Sequence, residues 1–271
     1  MIVHQPSPVP ARTAPPRVGG HFGELVQGRL GPDGPLALVS LPCPALWVEP
    51  AEPGDPALIG PRRLRALCAA LDLPFPGTLP RLRATMPPGG GAGSSTAALV
   101  AVALTLGYDG PPDALARACV AAEGASDPLM FPRAERLLFA PRLGQVLRRL
   151  PALPRFSVIG GFLGPGLRTR AEDQDFPDIA DLIARWQPGL PRAELAALAS
   201  ESARRTLALR GPSGDPTADL ARDLGADGWL IAHTGSARGL IFAPGATPAD
   251  AAATMAEAGF TGLVCFDGGG A

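Results

Sequence analysis

The alternation of strand-like and helix-like segments predicts an α+β fold of two layers. Short apolar runs bordered by proline or glycine read as strands. Longer runs with apolar residues gathered on one face read as helices, and the two kinds are interspersed along the chain. The size and composition allow it. The chain has 271 residues, 46% of them hydrophobic and 18% charged, enough for one large or two modest domains with ample core. Its 33 prolines should shorten the elements without dissolving the fold.

Residues 1–17, rich in proline and arginine, read as a loose lead-in. From Val18 short strand pieces alternate with turns, the segments 36–41 and 46–49 being the clearest. A helix is expected over 61–71, with Leu64, Leu67, Cys68 and Leu71 on one face. Segment 79–85 alternates leucine with arginine, as a strand would, and leads toward a glycine-rich stretch. Helices are expected at 94–106, 112–123 and about 133–149. The strand 156–160 follows prolines at 151 and 154 and gives the best domain boundary, dividing the chain into 1–152 and 153–271. Beyond it come helices near 178–187, 191–208 and 215–224, a strand at 229–232 and a turn at 233–238. A strand at 239–243, a helix at 248–258 and a strand at 260–266 complete the chain, and no internal repeat is visible.

Composition also excludes several chemistries. The net charge is −1, so binding nucleic acid by phosphate neutralisation is not expected. All 24 basic residues are arginine. Without lysine there is no Schiff-base or pyridoxal-phosphate chemistry, no Walker A element and no protein-kinase strand lysine. The cysteines Cys43, Cys68, Cys119 and Cys265 form no C-x-x-C pair, and His4, His21 and His233 show no ligand spacing, which argues against structural zinc. No signal peptide opens the sequence and no apolar run is long enough to cross a bilayer, so a cytoplasmic protein with reduced thiols, not a membrane partner, is the expectation.

The most specific functional signal is 87–97, Pro-Pro-Gly-Gly-Gly-Ala-Gly-Ser-Ser-Thr-Ala, followed at once by an apolar helix pattern. Glycines let the backbone approach a ligand closely. Ser94 and Ser95 are good N-cap types, so a helix is expected to begin there with its free N–H groups turned into the loop. Such a helix start carries about half a positive charge and suits a phosphate. The bland alternative is a flexible turn capping a helix. A dinucleotide G-x-G-x-x-G reading fits poorly, because prolines 87 and 88 sit where the strand should end.

This spacing resembles the second motif of the GHMP kinase superfamily, P-x-x-x-G-L-G-S-S-A, on Pro87, Gly91, Ala92, Gly93, Ser94, Ser95 and Thr96. Gly20-His-Phe-Gly-Glu-Leu-Val-Gln-Gly28 is similar to the first motif of the superfamily's L-threonine kinase branch, G-[TS]-x-G-E-L-V-Q-G. Ala232-His-Thr-Gly-Ser-Ala-Arg-Gly-Leu240 resembles that branch's third motif, A-H-S-G-x-x-x-G-L. The resemblance implies an S5-like N-terminal domain and a ferredoxin-like C-terminal domain, with ATP and substrate between them. It further implies an ATP- and Mg²⁺-dependent transfer to the hydroxyl of L-threonine, giving O-phospho-L-threonine for the aminopropanol side chain of cobalamin; homoserine or another small alcohol is the second acceptor, and a monomer or homodimer is expected. A nucleotide-binding protein without catalysis is the reading from another class.

Phosphoryl transfer asks for a phosphate cradle, a metal ion and an oriented hydroxyl. The cradle candidates are Pro88, Gly89, Gly90, Gly91, Ala92, Gly93, Ser94, Ser95 and Thr96. The resemblance places a loop serine and a downstream glutamate on the metal, here Ser95 and Glu123. Magnesium favours such hard oxygen ligands. Glu123 could equally be a solvated helix end. Asp127 replaces the branch's E-P-T-D aspartate with one extra residue between it and Glu123, and stands as base, substrate anchor or Asp-Pro turn former. Ser95 and Asp127 are the catalytic candidates. Glu24, Gln27, His21, Thr169, Gly235 and Ser236 are the substrate-side candidates, Glu24 suiting an ammonium group. Their bland readings are a turn glutamate, a structural histidine and a plain strand–turn–strand link. Around Thr169 the expected G-G-x-V-D-T-like stretch lacks its aspartate, leaving Arg168 and Arg170 to face an anion. With no lysine, arginine, Mg²⁺ and the helix start must supply the positive charge.

Overall fold

The computed structural model describes residues 16–52, 54–167, 170, 172–232 and 234–270. Strands β1 (Val18–Arg29) and β2 (Leu36–Pro50) form a long antiparallel hairpin. The two segments expected at 36–41 and 46–49 are one strand. Bulges interrupt the pairing between His21 and Glu24 and again before Val26, with Gly23 at φ 66°. In a regular strand residues three apart face opposite sides. The bulge removes that alternation and brings His21 and Glu24 to the same side.

Helix α1 (Pro61–Leu71) starts with proline at its first position and buries Leu64, Leu67 and Cys68. Strand β3 (Leu82–Ala84) pairs with β2 and leads into the glycine loop. Helix α2 (Ser94–Thr105) is buried along its whole length from Thr96 to Ala103, as its unbroken apolar sequence demands. Helix α3 (Pro112–Glu123) ends at Gly124, which takes the left-handed conformation at φ 82°.

The helix expected at about 133–149 does not form. A single 3₁₀ turn at Ala134–Arg136 leads into the hairpin β4 (Leu137–Ala140) and β5 (Gln145–Arg149). Pro141 cannot continue a helix, and Gly144 at φ 62° closes the turn. Leu137, Leu138 and Phe139 are consecutive and buried, as in a covered strand.

The remaining elements are β6 (Leu153–Leu163), α4 (Ala180–Ala184), α5 (Arg192–Arg210), α6 (Thr217–Asp223), β7 (Gly228–Ile231), β8 (Ala237–Phe242), α7 (Ala251–Glu257) and β9 (Phe260–Gly270). Stripped of α4 and α6 this is a βαββαβ unit whose strands lie in the order β7-β8-β6-β9, the ferredoxin-like arrangement. The full sheet runs β5-β4-β2-β1-β7-β8-β6-β9, with β3 beside β2, and its named strand pairs are antiparallel. Its two halves meet where Glu24 of β1 pairs with Ile231 of β7. Among the described residues no helix is long and apolar enough to cross a membrane.

Candidate active site

The glycine loop ends at α2, but not as the serines suggest. Gly93, at φ 74° and ψ 16°, is the N-cap and makes no side-chain cap; Ser94 and Ser95 are the first two helical residues. A left-handed position is open to glycine at little cost, and it leaves the serine hydroxyls free of the capping role. Ser95 Oγ donates to Glu123 Oε2, at the end of α3. Thr96 Oγ1 lies 3.5 Å from Glu123 Oε1 and accepts the Asp127 N–H at 3.1 Å. One hydroxyl therefore ties Glu123 and Asp127 together despite the extra residue between them. Burial raises the Glu123 carboxyl above its ordinary range, with the Ser95 hydrogen bond and the Arg63 charge working the other way.

Ser95 and Glu123 offer a hydroxyl and a carboxylate, in contact and half-buried, beside a helix N-terminus. That donor set fits a hard divalent cation such as Mg²⁺. Sequence reasoning missed a third member. Arg63 of α1 places Nη1 2.7 Å from Ser95 Oγ and 3.2 Å from Glu123 Oε2, while Nη2 donates to Leu58 O at 2.8 Å. It lies in an Arg-Arg-Leu-Arg stretch that reads as a solvated helix face. The missing lysine was the one signal that an arginine had to be found.

The first motif lies directly under the loop. His21 N–H donates to Ala92 O at 3.2 Å, and a Cβ at Gly93 would stand 2.7 Å from the His21 ring. The imidazole is buried with Nδ1 3.5 Å from Glu24 Oε1 and Nε2 3.6 Å from Asp127 Oδ2. Burial opposes its charge, but Asp127 and Glu24 outweigh that and raise it to about 9. Asp127 is held below its ordinary range, because the His21 charge and the His21 and Thr96 hydrogen bonds outweigh burial. Gln27 is fixed through its backbone to Ser202 of α5, N–H to Oγ at 2.9 Å. Its buried amide has no hydrogen-bond partner among the described residues.

The turn between β7 and β8 reaches the same loop. Ser236 and Ala237 N–H both donate to Gly90 O, at 3.0 and 2.8 Å. Gly235, at φ 128°, leaves no room for a side chain: a Cβ would lie 2.5 Å from Gly90 C. Arg238 steadies the turn. Its guanidinium pairs with Asp215 at 2.8 Å and donates to Gly235 O at 3.2 Å, both side chains being buried. From the other side Leu167 N–H donates to Gly89 O at 2.9 Å, and Gly166 packs on Pro88. Thr169, Arg168 and His233 lie outside the described residues. Arg170 is exposed, its carbonyl accepting from Arg142 at 2.7 Å.

No family model and no curated protein matches the sequence. Solved structures do. Methanococcus jannaschii mevalonate kinase superposes with a TM-score of 0.62 over 95% of this chain and 98% of its own, at 10% identity. A 4-(cytidine 5'-diphospho)-2C-methyl-D-erythritol kinase gives a TM-score of 0.54 over 94% and 99%, at 22% identity. A phosphotransferase related to the CoA biosynthesis pathway gives 0.57 over 93% and 95%, at 14% identity. The chain has the GHMP kinase fold. Sequence identity this low carries the architecture across and leaves the chemistry to the residues described above.

Proposed function

We propose that this protein is an ATP- and Mg²⁺-dependent kinase that phosphorylates the hydroxyl of a small molecule. The observation that carries the reading is convergence: the segments 20–28 and 234–240 and the end of α3 all meet the glycine loop at the start of α2. The loop and the α2 N-terminus would cradle the nucleotide phosphates with backbone N–H groups. Ser95 and Glu123 would hold Mg²⁺, which neutralises charge on the transferred group when bound. Asp127, kept ionised by His21, would orient or deprotonate the attacking hydroxyl. Residues 1–152 form the domain with the phosphate loop and 153–271 the ferredoxin-like domain in this reading. The fold's other holders include kinases of mevalonate and of a methylerythritol derivative, both alcohol acceptors by name.

For the acceptor we propose L-threonine, giving O-phospho-L-threonine for the aminopropanol side chain of cobalamin. The first-motif residues Gly23, Glu24, Leu25, Val26, Gln27 and Gly28 support it, and so does an acid placed beside the loop that suits an ammonium group. Gln27 and Ser236 would add contacts to the substrate. Homoserine is the second acceptor to test. The protein should be incubated with Mg-ATP and a panel of threonine, homoserine, serine and simple alcohols, and ADP release followed. ADP release stimulated by threonine above the other acceptors is the expected result. No stimulation by any acceptor, with ATP still bound, would leave a nucleotide-binding protein without catalysis.

A further inference from the structure

Arg63 has no place in the three sequence motifs, yet its guanidinium touches both Ser95 and Glu123, the two groups assigned to the metal under the proposed function. It is the third residue of α1, anchored by Leu58 O and turned onto Ser95 Oγ and Glu123 Oε2. Its side chain is 26% exposed, so it can be reached from solvent. A carboxylate drawn largely out of water is costly without a cation, and Arg63 supplies that cation to the half-buried Glu123. A terminal phosphate arriving without metal would share the guanidinium with Glu123, and a divalent cation binding the same two oxygens would take over the task and release it fully. The planar guanidinium then presents several N–H donors in the geometry that matches a phosphate.

We infer that Arg63 serves the phosphate site twice: it balances the Ser95–Glu123 pair before nucleotide binds, and it grips the terminal phosphate afterwards. The inference rests on the kinase reading above. It predicts two effects of opposite sign. Removing the guanidinium should weaken metal-free ATP, which loses a phosphate contact. It should also lower the Mg²⁺ concentration needed for half-maximal binding of Mg-ATP, because Glu123 is no longer contested. A residue that only propped Glu123 in place would weaken both.

The test is calorimetric titration of ATP and ADP into wild type and Arg63→Gln, once with a chelator and once across a Mg²⁺ series. The expected result is metal-free ATP about tenfold weaker in Arg63→Gln, ADP affected less, and the Mg²⁺ midpoint shifted down. Unchanged metal-free ATP affinity, or an upward shift of the midpoint, overturns the Arg63 assignment and leaves the kinase reading in place. A wild type that binds ATP under neither condition overturns the kinase reading itself. Should Arg63→Gln fail to fold, Arg63→Lys decides: loss of the fork should weaken metal-free ATP several-fold, and wild-type affinity would count against the assignment.

Discussion

His21 Nε2 stands 3.6 Å from Asp127 Oδ2, joining the bulged first strand to the segment after α3 beneath the glycine loop. The pair has a definite pH signature. His21 is raised from 6.5 to about 9, so its contribution to stability is complete below 6.5 and lost as pH rises through 9. Asp127 is depressed, so its contribution is present above the ordinary carboxylate range and lost as pH falls through its lowered value. Stability from the pair should be greatest between about pH 5 and 6.5 and decline toward pH 9.5. Replacing His21 with asparagine should cost on the order of 1–3 kcal/mol at pH 6 and flatten the alkaline decline. Urea melts of both proteins across pH 5–9.5 would show it; parallel pH curves would mean the pair is not ionised as described.

Glu123→Gln should keep the fold and the binding of ATP but reduce turnover at least tenfold, since an amide is a poorer ligand for Mg²⁺ than a carboxylate. Ser95 and Arg63 can still hydrogen-bond the amide oxygen, so the end of α3 should stay in place. Steady-state rates over a Mg²⁺ series check this. If rate and Mg²⁺ dependence both match wild type, Glu123 is only a helix end.

Much of this site was legible because the phosphate loop is local. Eleven consecutive residues, 87–97, hold the glycines, the serines and the helix start, and the helices at 61–71 and 112–123 follow from proline starts and an apolar face. What was not legible is non-local or depends on strain. The capping role went to Gly93 because the loop needs a left-handed residue there, which outweighs the preference for serine. The segment 133–149 is rich in leucine and arginine and reads as a helix, but Pro141 and Gly144 break it into a hairpin, whose strand β4 pairs with β2 at Leu38 and Phe139. Arg63 and Glu123 are 60 residues apart, and Arg238 and Asp215 are 23 apart. Nothing in either stretch names its partner.

Gly235→Ala should damage the phosphate loop from a distance. The added methyl would overlap Gly90 at 2.5–2.7 Å, and alanine is strained at φ 128°. The turn and loop must separate, lengthening the Ser236 and Ala237 bonds to Gly90 O. A loss of about 1–3 kcal/mol in stability is expected, with a matching loss of ATP affinity. Thermal melts with and without ATP would measure both. An ATP affinity equal to wild type would show that the β7–β8 turn does not set the shape of the cradle.

The last prediction concerns the acceptor. An amino-acid kinase must meet the substrate's ammonium with an acid, because a buried charge without a partner costs about 1–3 kcal/mol or more. Glu24 is the acid at the seam of the sheet, where β1 meets β7, and it lies 3.5 Å from the imidazolium of His21. His21 shows that Glu24 accepts a cation at this position, and an ammonium group would be a further one. L-threonine should therefore outperform an alcohol of the same size that lacks the amino and carboxylate groups. Glu24→Ala should raise the threonine KM about tenfold or more, with a smaller effect on ATP. Glu24→Gln should fall between, since an amide keeps one hydrogen bond and loses the charge. Equal rates with threonine and the plain alcohol, or normal threonine kinetics in Glu24→Ala, would remove the amino-acid assignment and leave a kinase for an uncharged alcohol.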